Sequence, residues 1–172
     1  MAQQQSHEFR SAVITVGDRD ALLATIREIA KLQHTHIVCF DAEKMVGLEH
    51  AESAVRHAHH SFSNDSAISN SFEMEALLYA AGSRQCSIAA SFGIHEGKNY
   101  LFICCCPPSS DAWNALARHM NFSNETWDDP GPEKTSRLMA LFEITPEEIE
   151  AAGNDRVTAL VLERVALLNV NK

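Results

Sequence analysis

The stretch that decides the fold is Ser69–Gly93, SNSFEMEALLYAAGSRQCSIAASFG, which predicts two short helices joined at a glycine. Asn70 is placed to cap the first helix, and Glu73, three residues later, completes a capping box. The apolar run that follows ends at Gly82, where a left-handed residue stops the helix. Ser83 is then the predicted N-cap of the second helix, whose apolar stripe continues to the end of the stretch.

This arrangement places two polar side chains, Arg84 and Gln85, in the first turn of the second helix. A first turn has unpaired backbone N–H groups and the positive end of the helix dipole, which together attract anions. The stretch therefore predicts a small anion site. The alternative is a capped helix whose arginine only points into solvent, since most surface arginines do nothing specific.

The composition is that of a globular protein of 172 residues, 45% of them hydrophobic. No apolar run approaches the ~18–20 residues of a membrane helix, and no signal peptide is recognisable, so we expect a cytoplasmic protein with no membrane partner. Three of the five cysteines are adjacent, Cys104–Cys106, on a predicted strand. Because neighbouring strand side chains point to opposite faces, they predict buried reduced thiols rather than a zinc site or a disulfide set.

The formal net charge of −9 restricts the kind of nucleic-acid binding that the chain can support. Broad, non-specific binding depends on neutralising many phosphates, which an acidic protein does poorly. Any contact with nucleic acid is therefore expected to be small, local and geometrically selective.

The order of the predicted elements indicates an α/β fold. Strands at Ala12–Val16 and His36–Phe40 flank an amphipathic helix, so we expect a βαβ unit with two parallel strands and a right-handed crossover. A third strand, Asn99–Cys105, is apolar almost throughout. We expect one small mixed sheet of three to four strands surrounded by about seven to eight helices. Residues 1–9 are expected to form a flexible N-terminal tail and residues 10–172 a single domain.

A histidine-rich helix is predicted at Gly47–Phe62, with His50 and His57 on a shared, solvent-facing side and His60 close by. A catalytic zinc site would need the H-E-x-x-H spacing, which is absent, so no metal and no other cofactor is predicted. A face of histidines and Arg56 that meets a phosphate or a base fits the pattern better. A small metal-dependent enzyme that uses this helix remains an alternative.

The C-terminal helix, Asp155–Leu168, carries apolar side chains around most of its circumference. Such a helix either packs into the core of its own domain or faces a partner. Packing into the core is the expectation, and a homodimeric scaffold protein that uses this helix is the alternative.

The motifs of the common catalytic sites are absent from the sequence: it has no G-x-S-x-G elbow, P-loop, kinase loop set or metalloprotease motif. Cys86 lies near a predicted helix start, where a thiolate can be stabilised, but it falls on the stripe of Ala89 and is expected to pack. Because nothing assembles a nucleophile, a base and an oxyanion site, we predict a non-catalytic binding protein.

Three stretches of the chain carry a resemblance to a known family. They are HAESAVRHAHHSF at His50–Phe62, SFEMEALLYAAGSRQCSIAASFGI at Ser71–Ile94 and TPEEIEAAGNDRVTALVLERVALL at Thr145–Leu168. Through them the chain resembles the Cgi-type subunit of the KEOPS complex over nearly its whole length. The most specific segment is E-x-L-L-Y-x-x-G-x-R-Q, Glu75 to Gln85. Cys86 departs from the family's pattern, because an aliphatic residue usually follows the Arg-Gln pair.

The resemblance implies a non-catalytic regulatory subunit of archaeal type. KEOPS forms threonylcarbamoyladenosine next to the anticodon of tRNA, and its transferase and atypical kinase subunits do the chemistry. The Cgi-type subunit binds the N-lobe of the atypical protein kinase subunit and meets the remaining KEOPS subunits indirectly. In archaea it also holds tRNA by the 3′ CCA end.

Candidate contact residues follow when the resemblance is carried onto this sequence. A single-stranded RNA end offers phosphates and splayed bases, which proteins hold by stacking and by a few charged groups. The candidate tRNA-binding residues are Arg84, Gln85, Ser83, Arg56, His57, His60 and Lys98. The candidate kinase-docking residues, expected to be exposed and apolar, are Leu78, Tyr79, Ile88, Leu160 and Leu167.

Overall fold

A computed structural model describes residues 6–152 and 156–170 of the chain. These residues form four β strands and eight α helices, and they divide into two units. The sheet unit takes residues 6–41 and 93–125, and the helical unit takes residues 42–92, 126–152 and 156–170. Each unit is defined by its own internal contacts. The expectation that residues 10–172 form a single domain therefore stays a prediction.

The sheet unit holds all four strands and two of the helices. The strands are β1 (Glu8–Val16), β2 (His36–Asp41), β3 (Gly97–Cys106) and β4 (Asn121–Ser123), in the spatial order β2-β3-β1-β4. The helices are α1 (Arg19–Leu32) and α5 (Ser110–Leu116). Every neighbouring pair of strands is antiparallel.

The predicted α/β class, with four strands and eight helices in the described residues, is confirmed. One feature of the sheet differs from the expectation. β1 and β2 run in the same direction, but β3 lies between them and pairs antiparallel with both, so no neighbouring strands are parallel. β3 takes this central place because its second half, residues 101–106, is apolar throughout and needs cover on both faces, and all six residues are completely buried.

Two further expectations concern the sheet unit, namely the length of the N-terminal tail and the burial of the three adjacent cysteines. β1 begins at Glu8, which pairs with Cys105, so residues 8 and 9 of the expected tail belong to the sheet, and residues 1–5 lie outside the described part. Cys104–Cys106 are fully buried, as predicted. Burial raises the pKa of the Cys105 thiol to about 12 and that of Cys106 to about 11, so both are protonated at neutral pH.

The helical unit contains the other six helices and a short 3₁₀ turn. They are the 3₁₀ turn Ala42–Lys44, α2 (Leu48–Ser63), α3 (Phe72–Ala81), α4 (Cys86–Ala90), α6 (Pro132–Leu141), α7 (Pro146–Ala152) and α8 (Val157–Val170). α3 packs against α2, α4 and α8. Within the described ranges, no helix combines the length and the apolar character needed to cross a bilayer.

The C-terminal helix α8 packs into its own unit. Its buried face consists of Val157, Val161, Val165 and Leu168. This is the spacing of a single helical stripe, so the expectation that the helix joins the core is fulfilled for these positions. From the sequence, Gly153 is predicted to end the helix before α8, and this residue lies outside the described residues.

A side chain from a distant segment caps the N-terminus of α2. Gly47, the N-cap residue, has no side chain to offer, and the Asp128 carboxylate accepts the Leu48 N–H at 3.1 Å instead. A Cβ on Gly47 would lie 2.6 Å from the carboxylate oxygen, and φ at this position is +137°. Glycine is therefore required both by the backbone conformation and by the close approach of Asp128.

Replacement of Asp128 by alanine is expected to destabilise the protein by about 0.5–2 kcal/mol, because one N–H at the start of α2 loses its acceptor. The matched control is Asp129→Ala, which removes the same charge from the neighbouring exposed position and should change stability by less than about 0.5 kcal/mol. Urea denaturation measures both. Equal losses in the two variants would contradict the capping role.

Candidate functional site

The turn between α3 and α4, residues 82–85, is set by the way α3 ends. Gly82 has the predicted left-handed conformation, with φ 61° and ψ 32°. Its N–H donates to the Tyr79 carbonyl and the Ser83 N–H donates to the Leu78 carbonyl, both at 3.1 Å. This pair of hydrogen bonds is the Schellman motif, and it gives the α3–α4 turn a defined backbone conformation.

The start of α3 differs from the prediction by one residue. Ser71, and not Asn70, is the N-cap: its Oγ accepts the Met74 N–H at 3.1 Å. The same hydroxyl donates to the Glu73 carboxylate at 3.1 Å. A hydroxyl donates and accepts at once, so Ser71 serves both groups.

The start of α4 differs more, and the difference removes the predicted basis of the anion site. The helix begins at Cys86 with Gln85 as its N-cap, so Arg84 and Gln85 precede the helix instead of occupying its first turn. The Ser83 Oγ accepts the Gln85 N–H at 3.1 Å and so closes a local turn rather than capping a helix. Arg84 and Gln85 are nevertheless exposed, and Cys86, which was expected to pack, is exposed as well.

A buried carboxylate fixes the loop that leads into α3. Glu75, the first residue of the E-x-L-L-Y-x-x-G-x-R-Q segment, has no exposed surface. Its carboxylate accepts the N–H groups of Ile68, at 3.0 Å, and Ser69, at 2.8 Å. These charge-assisted hydrogen bonds offset the cost of burying the carboxylate. The glutamate of the segment is thus structural.

α2 lies antiparallel to α3. His50, near the start of α2, is hydrogen-bonded to Ala80 in the last turn of α3. The ring of His59, farther along α2, packs on the ring of Phe72 in the first turn of α3, with centroids 4.7 Å apart. The α3–α4 turn follows the C-terminal end of α3, and it is therefore near the beginning of α2.

The candidates on α2 are spread along the helix. Arg56 and His60 are exposed, and with a rise of 1.5 Å per residue they lie about 9 Å and 15 Å along the axis from His50. His57 is half-buried and its ring stacks on Tyr79, with centroids 5.0 Å apart. Arg56 is thus the α2 candidate that is both exposed and nearer to the α3–α4 turn, and His60 is about three helical turns away from the level of His50.

Lys98 belongs to the sheet unit, where it lies at the start of β3 and is exposed. Its ammonium group is 5.3 Å from the centre of the Tyr100 ring. The structure therefore places this candidate in a different unit from the other six.

The predicted solvent-facing pair of His50 and His57 is wrong, because His50 is completely buried. Its Nδ1 accepts the Val46 N–H at 3.2 Å, and its Nε2–H donates to the Ala80 carbonyl at 2.8 Å. Burial lowers the pKa of His50 to about 4, with a further lowering by the charge of Lys134, against a raising effect of the bond to Ala80. In the described part of the chain, no three His, Cys, Asp or Glu residues are placed to hold a metal ion.

The burial of His50 has a signal in the sequence that the spacing of the histidines alone does not reveal. Counting from His50, the positions one, four, five and eight residues later lie on one helical stripe. Those positions are Ala51, Ala54, Val55 and Ala58, and all of them are fully buried. A histidine that adjoins such a stripe is therefore a candidate for the core, and His50 is one that the structure buries.

Two of the five predicted kinase-docking residues are buried, so the prediction that they are exposed is wrong. Leu78 and Tyr79 have no exposed surface. The Tyr79 hydroxyl is hydrogen-bonded to Ser61 Oγ at 2.6 Å and donates to Asn169 Oδ1 at 3.3 Å. These side chains are buried because α3 is covered by α2, α4 and α8.

The other three predicted kinase-docking residues keep part of their surface. Ile88 on α4 is 41% exposed and Leu167 on α8 is 39% exposed, whereas Leu160 on α8 is partly buried. α4 and α8 both pack against α3 in the helical unit. Ile88 and Leu167 are therefore the candidates that a partner can reach most readily.

Acid is expected to destabilise the protein through His50. Its pKa is about 4 in the folded protein and about 6.5 once the chain is unfolded, so the unfolded chain binds more protons between these values. The contribution of His50 to stability is therefore complete above pH 6.5 and is lost as the pH falls towards 4, by up to roughly 3 kcal/mol.

Urea denaturation of the wild type and of His50→Gln across this pH range measures the effect. The glutamine does not titrate, so the variant should lose less stability than the wild type as the pH falls. Parallel pH profiles for the two proteins would contradict the assignment.

A comparison with known proteins shows the family of the chain. A family model described as kinase binding protein CGI-121 matches residues 16–169, from the end of β1 into the last turn of α8. A search among curated proteins gives no match. The matched range contains the α3–α4 turn and nearly all of the helical part of the chain. The chain therefore belongs to the CGI-121 family of kinase-binding proteins.

Proposed function

We propose that this protein is the non-catalytic regulatory subunit of a KEOPS complex, which forms threonylcarbamoyladenosine next to the anticodon of tRNA. In this role it binds the atypical protein kinase subunit, meets the remaining KEOPS subunits indirectly, and recruits tRNA by its 3′ CCA end in the cytoplasm. The observation that carries the proposal is the match to the kinase-binding family over residues 16–169. The resemblance of Glu75 to Gln85 to the most specific segment of the KEOPS subunit supports the finer assignment.

The α3–α4 turn is the proposed contact for the RNA end. Arg84 and Gln85 are exposed, and the backbone that carries them is held by the hydrogen bonds of Gly82 and Ser83. A guanidinium group contacts a phosphate or stacks on a base, and a glutamine amide hydrogen-bonds to a base edge. The support for this site is the exposure of the two side chains and the ordered backbone of the turn. It is not the positive end of a helix dipole.

The charge of the protein sets the expected strength of this contact. With a net charge of −9, the protein is expected to hold a single-stranded end by a few local cations rather than by a broad basic surface. The affinity of the isolated protein for tRNA is therefore expected to be low, and its dependence on salt shallow, because few phosphates are neutralised. Arg56, exposed on α2, is proposed as a secondary contact, and His57, His60 and Lys98 contribute less.

The exposed apolar side chains of α4 and α8 are the proposed contact for the kinase. Ile88 and Leu167 have about two fifths of their surface exposed. α4 and α8 each pack against α3, and the core of a protein interface is more apolar than the rest of the surface. Leu160 is proposed at the edge of this contact, and Leu78 and Tyr79 support it from within the core.

Charge reversal at the turn tests the RNA contact. Arg84→Glu is expected to weaken the binding of a tRNA 3′ end about tenfold or more, because an attraction to phosphate becomes a repulsion. Filter binding or crosslinking to tRNA measures the loss, and the melting temperature should be unchanged because Arg84 is exposed.

Arg27→Glu is the matched control, since it makes the same charge change at an exposed position of α1 in the sheet unit. It should retain binding close to that of the wild type. Equal losses in the two variants would mean that only net charge matters, and wild-type binding by Arg84→Glu would exclude the α3–α4 turn as the site.

Charged substitutions on α4 and α8 test the kinase contact. Ile88→Asp and Leu167→Asp should each weaken binding to the atypical kinase about tenfold, because a carboxylate would be buried in the interface without a partner. Leu32→Asp is the control: Leu32 is 66% exposed but lies on α1 in the sheet unit. Calorimetric titration of the kinase measures all three, and the proposal fails if Leu32→Asp is the variant that loses binding.

A further inference from the structure

We propose that His50 is a positioning residue for the α3–α4 turn: its imidazole holds the last turn of α3 against α2 and so sets where Arg84 and Gln85 are presented. The inference that this turn binds an RNA end rests on the proposed function. The positioning itself rests on contacts within the helical unit, and it can be tested without any ligand.

The two hydrogen bonds of His50 fix its protonation and its tautomer. The Val46 N–H can only donate, so Nδ1 must be the acceptor at 3.2 Å. The Ala80 carbonyl can only accept, so Nε2 must carry the proton at 2.8 Å. The ring is therefore neutral with its proton on Nε2, and it joins the segment before α2 to the end of α3.

The Ala80 carbonyl is one of three consecutive carbonyls that need donors at the end of α3. The carbonyls of Leu78 and Tyr79 receive N–H groups from within the turn itself, from Ser83 and Gly82. Those bonds shape the turn but do not tie it to another helix. The third bond comes from α2 and ties the end of α3 to its neighbour, two residues before Gly82.

The turn is confined on another side by α8. The place that a Cβ on Gly82 would occupy is 3.4 Å from the carbonyl oxygen of Arg164. The Nη2 of Arg164 in turn donates to both carboxylate oxygens of Glu148, at 2.7 Å and 2.9 Å. The end of α3 is therefore bonded to His50, and the backbone of α8 at Arg164 passes close to the turn.

The cost of an imidazole at this position indicates that it does more than fill space. His50 stands at the head of the apolar stripe of α2, where an aliphatic side chain would carry no polar group of its own but would take away the partners of the Val46 N–H and the Ala80 carbonyl. Burying an imidazole is unfavourable unless both nitrogens find partners. Here both do, and one of those partners is the end of the helix that precedes the turn.

Two substitutions separate the two hydrogen bonds of His50. In His50→Asn the short amide reaches the place of Nδ1 and can accept from Val46, but it does not reach Ala80. In His50→Gln the longer amide reaches the place of Nε2 and can donate to Ala80. Ser61→Ala is the control, because it removes a buried hydrogen bond between the same two helices, to Tyr79, and leaves the Ala80 carbonyl bonded.

Amide hydrogen exchange of Gly82 and Ser83 is the first measurement, with the global stability of each variant determined in parallel. The exchange of these two amides should be about tenfold faster in His50→Asn than in His50→Gln, because only the former leaves the end of α3 unattached. Ser61→Ala should resemble the glutamine variant. Equal exchange in the asparagine and glutamine variants, once corrected for global stability, would overturn the proposal.

Binding of a tRNA with an intact 3′ CCA end, compared with the same tRNA lacking that end, is the second measurement. The affinity of His50→Asn for the intact tRNA should be about threefold or more below that of His50→Gln, because a looser turn presents Arg84 less often in the binding position. If His50→Asn binds like the wild type while Arg84→Glu does not, positioning by His50 is overturned. If Arg84→Glu itself binds like the wild type, the proposed RNA site fails, and the exchange rates still decide whether His50 positions the turn.

Discussion

The carbonyl end of α3 is the constraint on which the helical unit depends. The last carbonyls of any helix have no partners within it, and a helix that ends among other helices must find donors there. Gly82 and Ser83 supply two, and they can do so only because a left-handed residue turns the chain back. His50 supplies the third from α2. The same hydrogen bonds that satisfy α3 therefore define the α3–α4 turn and attach it to its neighbour.

For the RNA contact that we propose, this way of ending a helix supplies an ordered backbone. The polar side chains of Arg84 and Gln85 stand on a backbone that is already ordered, so binding does not have to order it. A protein with a net charge of −9 cannot rely on general attraction to RNA, so the RNA contact that we propose is a preformed local one. In the proposed complex, kinase binding, which the family shows, would bring this contact to the subunits that do the chemistry.

Local sequence patterns were sufficient for the α/β class and for the left-handed stop at Gly82, since both depend on spacing within a few residues. They placed the cap of α3 one residue early because serine and asparagine are almost equally good caps. The same patterns predict Arg84 inside a helix, because they do not show that the Ser83 side chain closes a local turn instead. Local patterns cannot predict contacts between distant segments. The place of β3 between β1 and β2, the cap that Asp128 provides at the start of α2, and the burial of Tyr79 and His50 all depend on tertiary packing.

Retention of tRNA on the immobilised atypical kinase, measured with and without this protein, tests most directly whether one subunit joins the kinase to the RNA end. We expect the kinase to retain the protein, and the protein then to increase the retention of intact tRNA about tenfold or more but not that of tRNA trimmed of its CCA end. A kinase that does not retain the protein, or equal retention of intact and trimmed tRNA, would contradict this role.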